Sequence, residues 1–270
     1  PHPLSLTRTF RSRWSVSGAA GFAANPGLGQ SWAHNHASSL SVQTNAADPN
    51  TPGNSFIVVT SIRLTEGSGS IRLFEPVSGT NQFKDSSGPS TITATSSLGG
   101  SSLPSSYTLK LSDDDSTWQF DTAGKLQSKT ERNGRTTSYS YTVTGNGAGQ
   151  LGSITNAFGR SIQFSYTAAG QLESVTLPDG QTVRYTFDSS SRISNVRYSD
   201  NSSKSYLYED SRWPQSVTGI IDDAGINYLT VTGRTKSVGS FAAKARGILA
   251  ADAGADPIVR VTDQVGVRVI

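Results

Sequence analysis

Tyr185-Thr186-Phe187-Asp188-Ser189-Ser190-Ser191-Arg192-Ile193-Ser194-Asn195-Val196 holds two rings one residue apart, a polar turn, and an aliphatic pair. The ring pair recurs along the chain as Trp118-Gln119-Phe120, Tyr139-Ser140-Tyr141, Phe164-Ser165-Tyr166 and Tyr206-Leu207-Tyr208. The spacing is regular: 187 − 166 = 21, 208 − 187 = 21 and 141 − 120 = 21. One interval is longer, 166 − 141 = 25, and Gly145-Asn146-Gly147-Ala148 supplies the extra turn. A fixed period in this range marks a repeat array, whose units bury a face only against their neighbours. Such an array makes a surface or a wall, and it implies no catalytic cleft.

Each unit reads as strand, turn, strand, turn. Rings at i and i+2 fall on one face of a strand, because side chains alternate across it. Four residues past the second ring stands Gly124, Gly170 or Ser191, with Gly149 displaced by the insertion. Lys125-Leu126, Gln150-Leu151, Gln171-Leu172 and Arg192-Ile193 follow. A second turn signal lies at Asn133-Gly134, Phe158-Gly159, Asp179-Gly180 and Asp200-Asn201. Asn-Gly and Asp-Gly favour hairpin turns in which both central residues take positive φ. Leu126, Leu151, Leu172, Ile193, Ile154, Val175 and Val196 supply the apolar positions between turns. The pattern predicts an all-β fold, a long meander of short antiparallel strands. The residues that define it are Trp118, Phe120, Gly124, Tyr139, Tyr141, Phe164, Tyr166, Gly170, Tyr185, Phe187, Tyr206 and Tyr208.

This pattern resembles the Rhs/YD-repeat family, whose unit has the form Gly…Arg-x-x-Tyr-x-Tyr-Asp-x-x-Gly-Arg-Leu-x-x-Val. Gly180 through Arg184, Tyr185, Phe187, Asp188, Ser191, Arg192, Ile193 and Val196 match it best, and Phe120-Asp121-Thr122-Ala123-Gly124-Lys125-Leu126 comes next. The Asp gives way to Thr142, Thr167 and Glu209 after the other ring pairs, a loss that falls on a turn residue. Pro3-Leu4-Ser5-Leu6-Thr7-Arg8-Thr9-Phe10-Arg11-Ser12 resembles the segment that precedes the repeats in bacterial Rhs proteins. Gly27-Leu28-Gly29-Gln30-Ser31-Trp32-Ala33-His34-Asn35 is similar to its continuation, with Gln30 and Ser31 interrupting the usual spacing. The resemblance covers roughly residues 1 to 230 and implies a spiral strip of sheet that encloses a cargo polypeptide, typically a C-terminal toxin. It also implies an N-terminal block that plugs or caps one end. Many members end the shell with a self-cleaving Asp-Pro-x-Gly-Leu. Here Asp256-Pro257-Ile258-Val259 lacks the Gly-Leu, so no catalytic residue is carried over.

Composition agrees. Hydrophobic residues are 34% and charged residues 16%, with 27 glycines, too polar for an α/β enzyme with a large buried sheet. The ring content and its regularity argue against disorder. Net charge is only +3 and Lys and Arg are scattered, so no nucleic-acid footprint is present. Cysteine is absent, which excludes disulfides and thiolate metal sites. No apolar run has membrane-spanning length and no signal peptide is seen. A start at Pro1 with no methionine suggests a processed product or fragment.

Three regions are expected. Residues 1–105 form an N-terminal β block, with strands near Ser5–Phe10, Leu40–Val42, Ser55–Arg63 and Ile71–Phe74. Between Asn45 and Asn54 lies a polar turn, and Gly67–Ser70 makes a hairpin turn. Gly79 to Pro104 reads as loops with one strand at Thr91–Thr95. Residues 106–232 form the array. Residues 233–270 depart from the period: Ser240–Gly254 reads as a short helix, with strands at Ile258–Val261 and Val265–Ile270.

Chemistry candidates give way to plainer readings. Asp113-Asp114-Asp115 lacks the spaced ligands and downstream Glu of a calcium loop, and reads as a solvated turn before Trp118. His34 and His36 share a strand face but lack a third ligand nearby, so no metal site is expected. No Gly-x-Ser-x-Gly nucleophile elbow stands out among the serines. The expectation is therefore a non-catalytic, cofactor-free scaffold segment, secreted or exposed on the cell surface. Its partners would be an enclosed polypeptide or neighbouring repeats of a longer chain. The alternative is a carbohydrate-binding or adhesion module stacking surface glycans on the ring pairs.

Overall fold

The computed structural model describes residues 4–11, 27–29, 31–45, 58–95, 103–223 and 225. Every regular element among them is a strand, so the fold is all-β as the period requires. The chain divides into two compact units, Pro1–Ser203 and Lys204–Ile270. In the first, β1 (Arg8–Phe10) and β2 (Trp32–His34) form a small antiparallel sheet, with Arg8 opposite His34 and Phe10 opposite Trp32. A second, long sheet runs through β3 (Ser39–Asn45), β4 (Val58–Thr65), β5 (Ile71–Pro76), β6 (Gln82–Asp85), β7 (Thr91–Ala94), β8 (Ser106–Lys110) and β9 (Thr117–Asp121). It continues as β10 (Leu126–Thr130), β11 (Thr136–Tyr141), β12 (Leu151–Thr155), β13 (Ser161–Tyr166), β14 (Leu172–Thr176), β15 (Thr182–Phe187) and β16 (Ile193–Arg197). From β3 to β16 each strand pairs antiparallel with its neighbour in sequence. In the second unit, β17 (Ser203–Leu207) and β18 (Gly219–Asp222) form an antiparallel hairpin with Tyr206 opposite Ile220. The helix and strands expected beyond residue 233 lie outside the described residues, as does most of the turn expected between Asn45 and Asn54.

Strand alternation places the core. In β13, Ile162, Phe164 and Tyr166 are buried while Gln163 and Ser165 are exposed. Leu126, Leu172, Ile193, Ile154, Val175 and Val196 have no exposed surface. Each such side chain contributes roughly 1.5–3 kcal/mol by leaving water. The register slips by one residue at the same place in the four units from Trp118 to Val196. Phe120 faces Leu126 while Gln119 faces Ser128, so Gln127 is the extra residue. Gly152, Glu173 and Ser194 bulge in the same way opposite the later ring pairs. A bulge adds local twist and bends its strand, so the period repeats a bend as well as a ring pair.

The turns depart from the expected geometry. At Asn133-Gly134, Phe158-Gly159 and Asp179-Gly180 only the glycine has positive φ, 81°, 75° and 84°. The loop is closed by Gly134 N–H donating to Glu131 O and Glu131 N–H donating to Arg135 O, both at 2.9 Å. This is a three-residue loop, in which a type I turn is followed by one left-handed residue, and it explains why Phe158 is tolerated before Gly159. At the other turn of three units the side chain after the ring pair holds the loop. Asp121 Oδ1 accepts Lys125 N–H at 2.8 Å and Asp188 Oδ1 accepts Arg192 N–H at 3.0 Å. Where the Asp is missing, Thr167 Oγ1 accepts Gln171 N–H at 3.2 Å.

The N-terminal region holds more strand than its sequence suggests. The stretch from Gly79 to Pro104 contains β6 as well as β7. Gln82–Asp85 carries little strand signal in the sequence because Phe83 is its one large apolar residue. The strand expected from Ser5 begins at Arg8. Asp85 is buried, and Arg72 Nη1 stands 3.5 Å from its carboxylate. Arg72 also pairs with Glu66 at 3.0 Å and with Asp113, whose carboxyl it holds below the usual range. The Asp113–Asp115 stretch is thus an exposed turn, with Asp114 Oδ1 accepting Ser116 N–H at 2.9 Å.

Candidate functional site: the ring face and the N-terminal strap

Every first ring of a pair turns to the buried face: Trp118, Tyr139, Phe164 and Tyr185 in the first unit, and Tyr206 in the second. Of the second rings, Phe120 and Tyr166 are buried and Tyr141 and Phe187 half-buried, and Tyr208 is half-buried in the second unit. Two of these second rings reach across the sheet in the same way. Tyr141 Oη donates to Leu126 O, and Tyr166 Oη donates to Leu151 O, both at 2.9 Å. Burial pushes both hydroxyls well above the ordinary tyrosine value. Phe187 occupies the equivalent place without a hydroxyl. Gly124 and Gly170 take the positive φ of the tight turn, 76° and 74°.

What covers this face comes from far away in sequence. His36 Nδ1 lies 3.3 Å from Tyr139 Oη, with the ring centroids 5.9 Å apart. The ring of His34 lies against Phe164, centroids 5.5 Å apart. Arg8 sets its guanidinium over Tyr185 at 5.4 Å, within cation–π range. Three side chains of the N-terminal block therefore meet the first rings of three successive units. The backbone of the same block meets the turns. Leu40 N–H donates to Gly124 O at 2.9 Å, and Leu172 N–H donates to Gly27 O at 2.8 Å. At Gly29 a β-carbon would stand 2.6 Å from Ser191 O. The described residues between Gly27 and Leu40 form a strap that meets the equivalent turns at Gly124, Gly170 and Ser191. Trp118, the first ring of the array, is covered instead by Lys129 from its own sheet, the ammonium 3.6 Å from the ring centroid. Burial pushes that lysine down to about 8.

The two histidines act as packing groups here. Burial, then the neighbouring His36, pushes His34 down to about 3. Burial likewise lowers His36 to about 4, against a hydrogen bond to Ser5 O that raises it. Both rings are neutral near pH 7. His36 N–H donates to His34 Nδ1 at 3.2 Å, so the proton of His34 sits on Nε2. Among the described residues no three of His, Cys, Asp and Glu come together as a metal group. Sequence spacing could place Arg8 and His34 on strands, but His36, expected on the same strand face as His34, lies in the turn that follows β2. That the three stack on Tyr185, Phe164 and Tyr139 needed the tertiary fold.

Comparison with known proteins follows the same geometry. Residues 106–219 match the sequence family described as Teneurin YD-shell. No curated protein matches the chain. Among solved structures, those described as TcdB2-TccC3 and as TcdB2-TccC3 without its hypervariable C-terminal region align over 71% of this chain. The identities are 17% and 18%, and both TM-scores are 0.35. The chain spans 11% of the length of those chains. The meander of β8–β16, its ring pairs and its recurring bulges lie in the matched region, so that residues 106–219 are similar to the Teneurin YD-shell family, in line with the Rhs/YD-repeat resemblance of the ring-pair sequence.

Proposed function

We propose that this chain is a non-catalytic wall segment of a secreted or surface-exposed shell, and that the whole shell encloses or presents a polypeptide. The observation that carries the reading is the face of buried rings, repeated every unit and covered by a strap of the chain itself. A strap anchored at Gly124, Leu172 and Ser191 ties separate repeats together, as a wall needs and an isolated hairpin does not. The twelve ring and glycine positions singled out by the period are proposed as the residues that define it, within an array over residues 106–232. The blocks before and after would be joined to that wall. No helix among the described residues is long and apolar enough to cross a membrane.

Glycan stacking finds less support. It needs open rings, whereas Trp118, Tyr139, Phe164 and Tyr185 are at most 8% exposed. The test is protease protection in the full gene product that carries this segment. Polypeptide outside the repeats should resist digestion while the sheet is intact and be cut once mild denaturant opens it. Equal cutting rates in both conditions would sink the enclosing role.

A further inference from the structure

A cavity of about 270 Å³ between the strap and the array holds a positive charge with no counter-charge. Leu40, Ala123, Ala148, Leu151 and the rings of Tyr141 and Tyr166 make most of its wall. The longer repeat closes one side through Ala148, Gly149 and Gln150, and the regular units have no counterpart of this turn. Among the described residues that line the cavity, Lys125 alone is charged at neutral pH, since His34 and His36 are neutral there.

Two distances place the Lys125 ammonium at this wall. Nζ stands 5.1 Å from the centroid of the Tyr141 ring and 3.4 Å from where a β-carbon on Gly149 would stand. Both residues line the cavity. The equivalent turn at Asp188 shows why the ammonium is there. Arg192 follows its turn residue as Lys125 does, and the Asp188 carboxylate takes its guanidinium at 2.6 Å. Asp121, the counterpart of Asp188, instead accepts Lys125 N–H at 2.8 Å and Gln127 Nε2 at 3.0 Å. Gln127 is the bulged residue, and the shorter Ser194 stands in its place in the Arg192 unit. Among the described residues no carboxylate pairs with the Lys125 ammonium. Other polar groups on these walls are already bonded: Tyr141 Oη to Leu126 O, Tyr166 Oη to Leu151 O, Ser38 Oγ to Gly67 N–H and Gln150 Nε2 to Gly170 O. His34 Nε2, Ser39 Oγ and Gln150 Oε1 are closed off from the cavity. The donors that remain are those of the Lys125 ammonium.

We propose that this cavity binds a carboxylate carried on a small apolar group, whose oxygens accept from Lys125 Nζ and whose carbon chain packs against Leu40, Leu151 and Tyr166. A charge pair beside walls of low polarity is stronger than the same pair in open water. One positive charge matches a monoanion, and the apolar walls match carbon. Such a carboxylate belongs to a free organic acid, to the end of a polypeptide or to a Glu side chain. The inference goes beyond the wall reading and does not depend on it.

The experiment titrates the full chain calorimetrically with butyrate, N-acetylalanine and N-acetylglutamic acid α-amide, which stand for those three sources in turn. The Lys125 ε-carbon signal is followed by NMR to locate the binding. At least one carboxylate should saturate and move that signal, and the tightest of the three names the source. Butyramide and inorganic phosphate should bind at least about tenfold more weakly. Lys125→Gln places there the residue that Gln150 and Gln171 supply at the equivalent positions, so the fold accommodates it. It should weaken carboxylate binding by at least about tenfold. Added salt should weaken carboxylate binding to the unaltered chain and leave butyramide unaffected, a readout that needs no variant. Saturation by no carboxylate would overturn the proposal. So would butyramide binding as tightly as butyrate, which means an apolar hole only, or phosphate binding as tightly, which means unselective attraction of anions. Unchanged binding in Lys125→Gln would place the carboxylate elsewhere and overturn it as well.

Discussion

Gly124 and Gly180 hold the same left-handed conformation, φ 76° and 84°, yet only one of them meets the strap. A β-carbon at Gly180 would touch nothing, whereas at Gly124 it would stand 2.1 Å from Leu40 O. Gly180→Ala should therefore cost only the left-handed penalty of about 1–2 kcal/mol. Gly124→Ala should cost more in denaturant unfolding, and hydrogen exchange at the Leu40 amide should speed up. Equal costs at the two glycines would show that the strap does not press on that turn. A second residue makes a gain measurable. Tyr141 and Tyr166 each donate to the carbonyl of the leucine 15 residues earlier (141 − 126 = 15, 166 − 151 = 15), and Phe187 stands 15 after Leu172. Phe187→Tyr should supply the missing hydrogen bond and raise unfolding stability by about 0.5–1.5 kcal/mol. The glycine pattern was plain in the sequence. Which of the glycines is crowded was not, because the crowding atom belongs to a residue more than eighty positions away (124 − 40 = 84).

Among the elements, β1, β2 and the strap depend on charge state. His34 and His36 sit at about 3 and about 4 in the folded chain, below the ordinary value of 6.5. The unfolded chain then binds more protons between those limits, so stability rises with pH there. The histidine contribution is fully present above about pH 6.5 and is lost as pH falls through about 4 and then about 3. Acidification should free β1–β2 before the array melts, seen as faster amide exchange at Thr9 and Ala33 while strand circular dichroism persists. His34→Phe should shift that release to lower pH. Release at the same pH in the variant would place the sensitivity elsewhere. Both histidines stood out in the sequence for their alternate spacing, but a metal and a packing role look alike there. Burial and the partners Phe164 and Tyr139 separate them.

For the whole molecule the period itself is testable. Removing Thr167 through Phe187 takes out 187 − 166 = 21 residues and joins Tyr166 directly to Asp188, which keeps a ring pair followed by its turn. The shortened chain should fold cooperatively at a lower melting temperature, having lost two strands, one ring pair and the strap's hold on Leu172. Removing one residue fewer should abolish cooperative melting, because a slip of one places every later side chain on the opposite face. Equal melting of both deletions would mean that the period does not set the sheet. Within the repeat array the amino-acid sequence by itself determined the strand order, the turn positions and the buried face, since each follows from alternation and loop closure between near neighbours. The tertiary structure decided what lies on that face. The pairings of Arg8 with Tyr185, His34 with Phe164 and Leu40 with Gly124 join distant residues, and no local spacing encodes which distant side chain fills a given gap.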